Sequence, residues 1–127
     1  MAKILVVDDE MELVQLCRIV LEDAGYKVAG AYNGSQALRV VGEDIPQLIL
    51  LDVMMPGMTG IEVCRQLRKG GLGPDECSIV MYTADDSRET RASSMEAGAD
   101  DLISKQVPIF ELAGKIREYL PTNGSQH

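Results

Sequence analysis

Two periodicities of apolar positions alternate along the chain from end to end. Residues 3–8, Lys-Ile-Leu-Val-Val-Asp, form a short continuous apolar run that predicts a strand buried on both faces. After it Leu13, Leu16, Cys17, Val20 and Leu21 recur at helical spacing until Gly25, where a first helix should stop. A shorter strand is predicted from Lys27 to Tyr32, followed by a helix capped by Asn33 with Gln36 three residues on, its apolar face Ala37, Leu38 and Val41 before Gly42. Leu48 to Asp52 predicts a third strand, again continuously apolar until its last residue.

Met55-Pro56-Gly57 then turns the chain, and Thr59 with Glu62 spells a capping box for a helix whose inner face is Ile61, Val63, Cys64 and Leu67. Gly70, Gly71, Gly73 and Pro74 close that helix. A fourth strand is predicted from Ser78 to Thr83, a weakly apolar helix capped by Ser87 runs to Gly98, and a short fifth strand covers Asp101 to Ser104. The last helix is expected to open near Pro108 and to bury Ile109, Leu112, Ala113, Ile116 and Leu120. Residues 1–120 are thus expected to form one domain, and 121–127 a polar tail or the start of a linker.

Strictly alternating strands and helices imply right-handed crossovers and an all-parallel sheet covered on both faces. The predicted fold is a doubly wound α/β sandwich of five strands. The two most apolar strands, the first and third, should be central, as in the order 2-1-3-4-5. In such sheets ligands bind outside the carboxyl ends of the strands, where the strand order switches.

Composition narrows what could bind there. The 127 residues carry a formal charge of −8 at pH 7, with no basic stripe of the kind that holds a phosphate backbone, so direct nucleic-acid binding is not expected. The runs Ile4 to Val7 and Leu48 to Leu51 fall far short of the roughly 20 residues that span a bilayer, and no signal-peptide pattern opens the chain; the expected location is cytoplasmic, with no membrane partner. Three cysteines, Cys17, Cys64 and Cys77, with no C-x-x-C pair, read as reduced, buried thiols. Met54, Met55 and Met58 read as gap-fillers under a loop, and the lone His127 lies in the tail with no nucleophile to serve.

Candidate chemistry gathers at the strand ends: Asp8 and Asp9 after the first strand, Asp52 after the third, Thr83 after the fourth and Lys105 after the fifth. Three carboxylates at the mouth of an apolar sheet repel one another unless a cation sits among them, and magnesium, which takes oxygen ligands and bridges carboxylates to phosphate, suits the set. With Lys105 as a second positive charge and Thr83 as a hydroxyl donor, the place could receive a phosphoryl group. Plainer readings remain open at this point: Asp9 as a helix N-cap with Glu12 as its box partner, Asp8 as a solvated strand end, Asp52 in an Asx turn, Lys105 as a solvated side chain.

These residues resemble the response regulator receiver domain, the phospho-acceptor module of two-component signalling, which has a flavodoxin-like (βα)5 architecture. The resemblance covers residues 3 to about 120 and rests on Ile-Leu-Val-Val-Asp-Asp-Glu near the start, Leu-Ile-Leu-Leu-Asp-Val-Met-Met-Pro-Gly-Met-Thr-Gly in the middle, then Val-Met-Tyr-Thr-Ala and Asp-Asp-Leu-Ile-Ser-Lys. It implies that Asp52 is the phosphorylated aspartate, and that Asp9, Asp52 and the Met54 backbone carbonyl bind Mg2+, with Asp8 acting directly or through water. It further implies that Thr83 is the switch hydroxyl, that Ala84 offers its backbone N–H to the phosphoryl group, and that Lys105 pairs with the phosphoryl charge. The implied donor is a phosphohistidine of a sensor histidine kinase or phosphotransfer protein. The implied readers are an effector protein or output domain meeting the face of helix four, strand five and helix five, and the domain catalyses only its own phosphorylation and dephosphorylation.

The sequence departs from the family at two places. Leu102 stands where an aromatic is usual, and Gln106 follows Lys105 where a proline is usual, Pro108 coming later; the 105–106 peptide is therefore expected to be trans. Two alternatives are a degenerate receiver that works by binding alone and a magnesium-dependent phosphatase with an aspartyl nucleophile. The phosphatase would need a D-x-D-x-T motif, which neither Asp8-Asp9-Glu10 nor Asp52-Val53-Met54 supplies, and a flavin carrier would need a Ser/Thr/Gly-rich loop after the first strand.

Overall fold

The computed structural model describes residues 2–120. Strands β1 (Lys3–Val7), β2 (Lys27–Ala31), β3 (Leu48–Leu51), β4 (Ser78–Thr83) and β5 (Asp101–Ser104) alternate with helices α1 (Met11–Asp23), α2 (Gly34–Glu43), α3 (Gly60–Lys69), α4 (Arg88–Glu96) and α5 (Leu112–Ile116). Neighbouring strands all pair in parallel, in the order β2-β1-β3-β4-β5 expected from the sequence.

Because successive strand residues face opposite sides, each continuous apolar run feeds two cores. Leu5, Val7, Ile49, Leu51, Ile79 and Met81 pack under α2 and α3 with Ala37, Val41, Val63 and Cys64. Ile4, Val6, Leu48, Leu50, Val80 and Tyr82 pack under α1 and α5 with Val14, Cys17, Leu21, Leu112 and Ile116. Arg68, at the end of α3, donates to the carbonyls of Leu72, Cys77 and Gly98 and pairs with Asp100 at 3.0 Å, tying that helix to the loops that lead into β4 and β5.

Three predicted caps form. Asn33 accepts from the Gln36 N–H, Thr59 and Glu62 make a reciprocal capping box, and Ser87 accepts from the Thr90 N–H. Other details differ. The buried stripe of α1 is Val14, Cys17 and Leu21, the i, i+3, i+7 face that packs on the sheet, while Leu16, one position off that face, is half exposed. α2 runs through Gly42 to Glu43. The last helix is interrupted: 3-10 turns Ile109–Glu111 and Arg117–Tyr119 flank the five residues of α5, with Gly114, a poor helix former, inside them. Its inward positions Leu112, Ile116 and Leu120 are buried as expected, whereas Ile109 and Ala113 are only partly so.

Cys17, Cys64 and Cys77 are buried free thiols. Of the methionines in the β3–α3 loop, Met55 is buried and Met58 packs against the core, but Met54 stands out in solvent. The 105–106 peptide is trans. Among the described residues no helix is long and apolar enough to cross a membrane. The tail expected at 121–127, with His127, lies outside the described residues.

Candidate functional site

Strand register brings the candidate residues to one edge. Val7 pairs with Leu51, and the ladder continues one step beyond each strand: the Asp8 N–H donates to Ala31 O and the Asp52 N–H to Val7 O. Asp8 and Asp52 therefore leave their strands at the same height. Thr83 ends β4 opposite Ser104, and the Lys105 N–H donates to Thr83 O at 2.9 Å, which fixes where the lysine departs from β5.

The side chains converge. Carboxylate oxygens of Asp8, Asp9 and Asp52 lie within 4.8 Å of one another; Asp8 and Asp52 are buried and Asp9 is exposed. The Lys105 ammonium donates to Asp8 Oδ2 at 2.7 Å and to Asp52 Oδ2 at 3.3 Å, with Glu10 Oε1 further out at 3.9 Å. The Glu10 N–H donates to Asp8 Oδ1 and the Met54 N–H to Asp52 Oδ1, so each buried carboxylate is held by one backbone donor and one shared cation. Thr83 is fully buried, its Oγ1 accepting from the Asp85 N–H at 3.2 Å, and Ala84 is exposed beside it.

Electrostatics follow from that packing. Burial pushes the Asp8 carboxyl up, and the neighbouring Asp52 adds to the effect, against the pull of Lys105 and the Glu10 N–H. Burial by itself would lower Lys105, but its hydrogen bond to Asp8 and the charges of Asp52 and Asp8 outweigh that and hold it above the ordinary lysine value. Two acids and one ammonium thus form a compact cluster, with Asp9 at its solvent side.

The Asx turn read at Asp52 does form, its Oδ1 accepting from the Met54 N–H two residues on, but the other plainer readings fall away, Asp8 being buried rather than a solvated strand end. Asp9 is not the cap of α1, whose N-cap is Glu10 without a side-chain hydrogen bond. Lys105 is half-buried on two acids rather than solvated. Other residues at the site carry no obvious sequence signal. Gly60 brings the start of α3 so close to Asp52 that a Cβ there would stand 2.1 Å from the Asp52 carbonyl oxygen. Tyr82 lies beneath Lys105, the ammonium 5.9 Å from the ring centroid.

The family model described as response regulator receiver domain matches residues 4–117. The chain belongs to this family. Receiver domains are generally signalling modules of two-component systems rather than enzymes acting on a separate substrate, and they meet histidine kinases and downstream effectors. Among solved structures, the chemotaxis protein CheY4 of Vibrio cholerae is 32% identical, with a TM-score of 0.87 over 94% of this chain and 99% of that one. A CheY-like receiver domain from Methanospirillum hungatei is 30% identical, with a TM-score of 0.87 over 100% of this chain and 99% of that one. TrrA of Thermotoga maritima, solved in complex with Mg2+ and BeF, is 34% identical, with a TM-score of 0.82 over 94% of this chain and 100% of that one. Within this receiver domain the Leu102 side chain is buried in the core shared with α3, and its carbonyl accepts from Arg91 of α4 at 3.3 Å.

Proposed function

We propose that this receiver domain accepts a phosphoryl group on Asp52 from a phosphohistidine of a sensor histidine kinase or phosphotransfer protein, with Mg2+ as cofactor, and thereby switches a protein-binding surface formed by α4, β5 and α5. The observation that carries the reading is the cluster itself: Asp8, Asp9 and Asp52 within 4.8 Å, and Lys105 bridging the two buried acids.

The donor set fits magnesium, since all three side chains offer hard oxygen atoms and their mutual repulsion favours a divalent cation. Asp9, Asp52 and the Met54 carbonyl would hold it, with Asp8 directly or through water, and when bound it neutralises charge on the phosphoryl oxygens. Each of the chain's own groups has a task. The Met54 N–H holds Asp52 Oδ1, which fixes the carboxylate plane and leaves Oδ2, the oxygen facing Lys105, as the nucleophile. That oxygen forms a bond to phosphorus as the P–N bond to the donor imidazole breaks; the nitrogen keeps the electron pair and takes a proton from solvent.

Lys105 follows the transferred charge, having lost part of its attraction to Asp52. Thr83 Oγ1 donates to one phosphoryl oxygen, and the Ala84 N–H to another. Much of the acceleration then comes from positioning and charge neutralisation. Attack of water on phosphorus later returns the carboxylate and inorganic phosphate.

The test uses acetyl phosphate and magnesium with the intact chain, read by protein mass. Wild type should gain one phosphoryl group and Asp52→Asn none. A wild type that stays unmodified would point to the binding-only receiver, and turnover of a free phosphate ester to the phosphatase.

A further inference from the structure

Helix α4 is weakly held by apolar packing. Of residues Arg88–Glu96 only Ser94 is buried, and its hydroxyl has no hydrogen-bond partner among the described residues. Its position must therefore depend on polar tethers. One lies along its side, where Arg91 reaches Asp101 and the Leu102 carbonyl. The other lies at its start and runs through Asp85.

Asp85 is bonded in two directions. Its N–H donates to Thr83 Oγ1 at 3.2 Å. Its carboxylate accepts from the Ser87 N–H at 3.1 Å and from the Thr90 hydroxyl at 2.5 Å, and those bonds, led by Thr90, hold the carboxyl below the usual range. Ser87 is the N-cap of α4 and Thr90 lies in its first turn. A single residue thus links a buried hydroxyl at the phosphoryl site to the first turn of a helix with little else to hold it.

We infer that Asp85 is a positioning residue that latches Thr83 to the first turn of α4, so that turning the Thr83 hydroxyl toward a phosphorylated Asp52 frees the latch and loosens α4. The inference rests on the phospho-acceptor reading above. When Thr83 Oγ1 turns to the phosphoryl oxygens it abandons the Asp85 N–H, and the loop 84–86 loses the bond that anchors it to β4. The carboxylate can then no longer hold Ser87 and Thr90 against a fixed point. Leu102, an aliphatic side chain packed in the core, offers no polar atom for a parallel route.

The experiment uses the full chain with magnesium and beryllium fluoride as the phosphoryl stand-in, reading amide hydrogen exchange of residues 87–96 with α3 as internal reference. In wild type the probe should speed exchange in the first turn of α4 roughly tenfold, the change expected when a net hydrogen bond is lost. In Asp85→Ala that exchange should already be fast without the probe and respond little to it. Asp85→Asn, whose amide oxygen can still accept from Ser87 and Thr90, should restore most of the protection and the response.

Phosphoryl uptake from acetyl phosphate, followed by mass in parallel, separates the two readings. Uptake by Asp85→Ala together with a wild-type exchange pattern and response would overturn the latch alone. Absence of uptake and of any probe response in wild type would overturn the phospho-acceptor reading and the latch with it.

Discussion

Gly60 shows how a single residue can be a site residue without any chemistry of its own. Its backbone N–H donates to Val53 O, and a Cβ would meet the Asp52 carbonyl oxygen at 2.1 Å and its carbon at 2.8 Å. Both obstacles are backbone, so neither can step aside. Gly60→Ala should therefore cost about 1–3 kcal/mol of stability as an overpacked position, measured by urea unfolding, and should slow phosphoryl uptake because Asp52 is displaced. An unchanged unfolding midpoint would contradict the close approach. In the sequence Gly60 reads only as the residue after a capping Thr, because the atom it avoids is eight positions away and is brought near by the return of the chain.

At the scale of elements, local hydrogen bonding explains what was legible. Asn33, Thr59 and Ser87 cap as their spelling predicts, since a cap and its N3 partner lie on one short stretch of chain. Asp9 with Glu12 spells the same motif and does not cap, because Asp8 takes the Glu10 N–H and Asp9 is turned into the acidic cluster. Arg68 was equally illegible: a basic residue in the last turn of a helix reads as a solvated charge, yet its guanidinium serves three carbonyls and Asp100 from different loops. Arg68→Ala should lower stability by about 1.5–3 kcal/mol in urea unfolding, as expected for charge-assisted bonds left unmade in a partly buried place. A loss within error of zero would show those loops to be held by other means.

For the whole molecule, the three buried thiols set an alkaline limit. Burial pushes Cys17 and Cys64 up to about 11 and Cys77 up to about 12, from an ordinary value of 9.0. The folded chain thus keeps protons that the unfolded chain gives up once the pH passes 9. The stability from these groups is complete below pH 9 and is lost as the pH climbs toward 11–12. Tyr119 adds to the same slope at its upper end, since its hydrogen bond to Asp101 holds the phenol at about 12 against an ordinary 10.0. The thermal midpoint should fall steadily from pH 9 upward, and less steeply in Cys77→Ala than in wild type. A thiol reagent at pH 8 should leave all three cysteines unmodified until the chain unfolds.

The sequence by itself determined the alternation of strands and helices, the parallel order 2-1-3-4-5, three of the helix caps, and the presence of Asp8, Asp9, Asp52, Thr83 and Lys105 at the strand ends. These are consequences of periodicity, of hydrogen bonds closed within a few residues, and of the rule that strand ends in one parallel sheet share an edge. Only the tertiary structure decided that Lys105 bridges Asp8 and Asp52, that Gly60 must lack a side chain, that the last helix breaks into short turns, and that Asp85 joins Thr83 to α4. Most of those facts depend on atoms that meet after the chain has crossed from one strand to another, or on side-chain rotamers chosen between competing partners, and no local pattern encodes either choice.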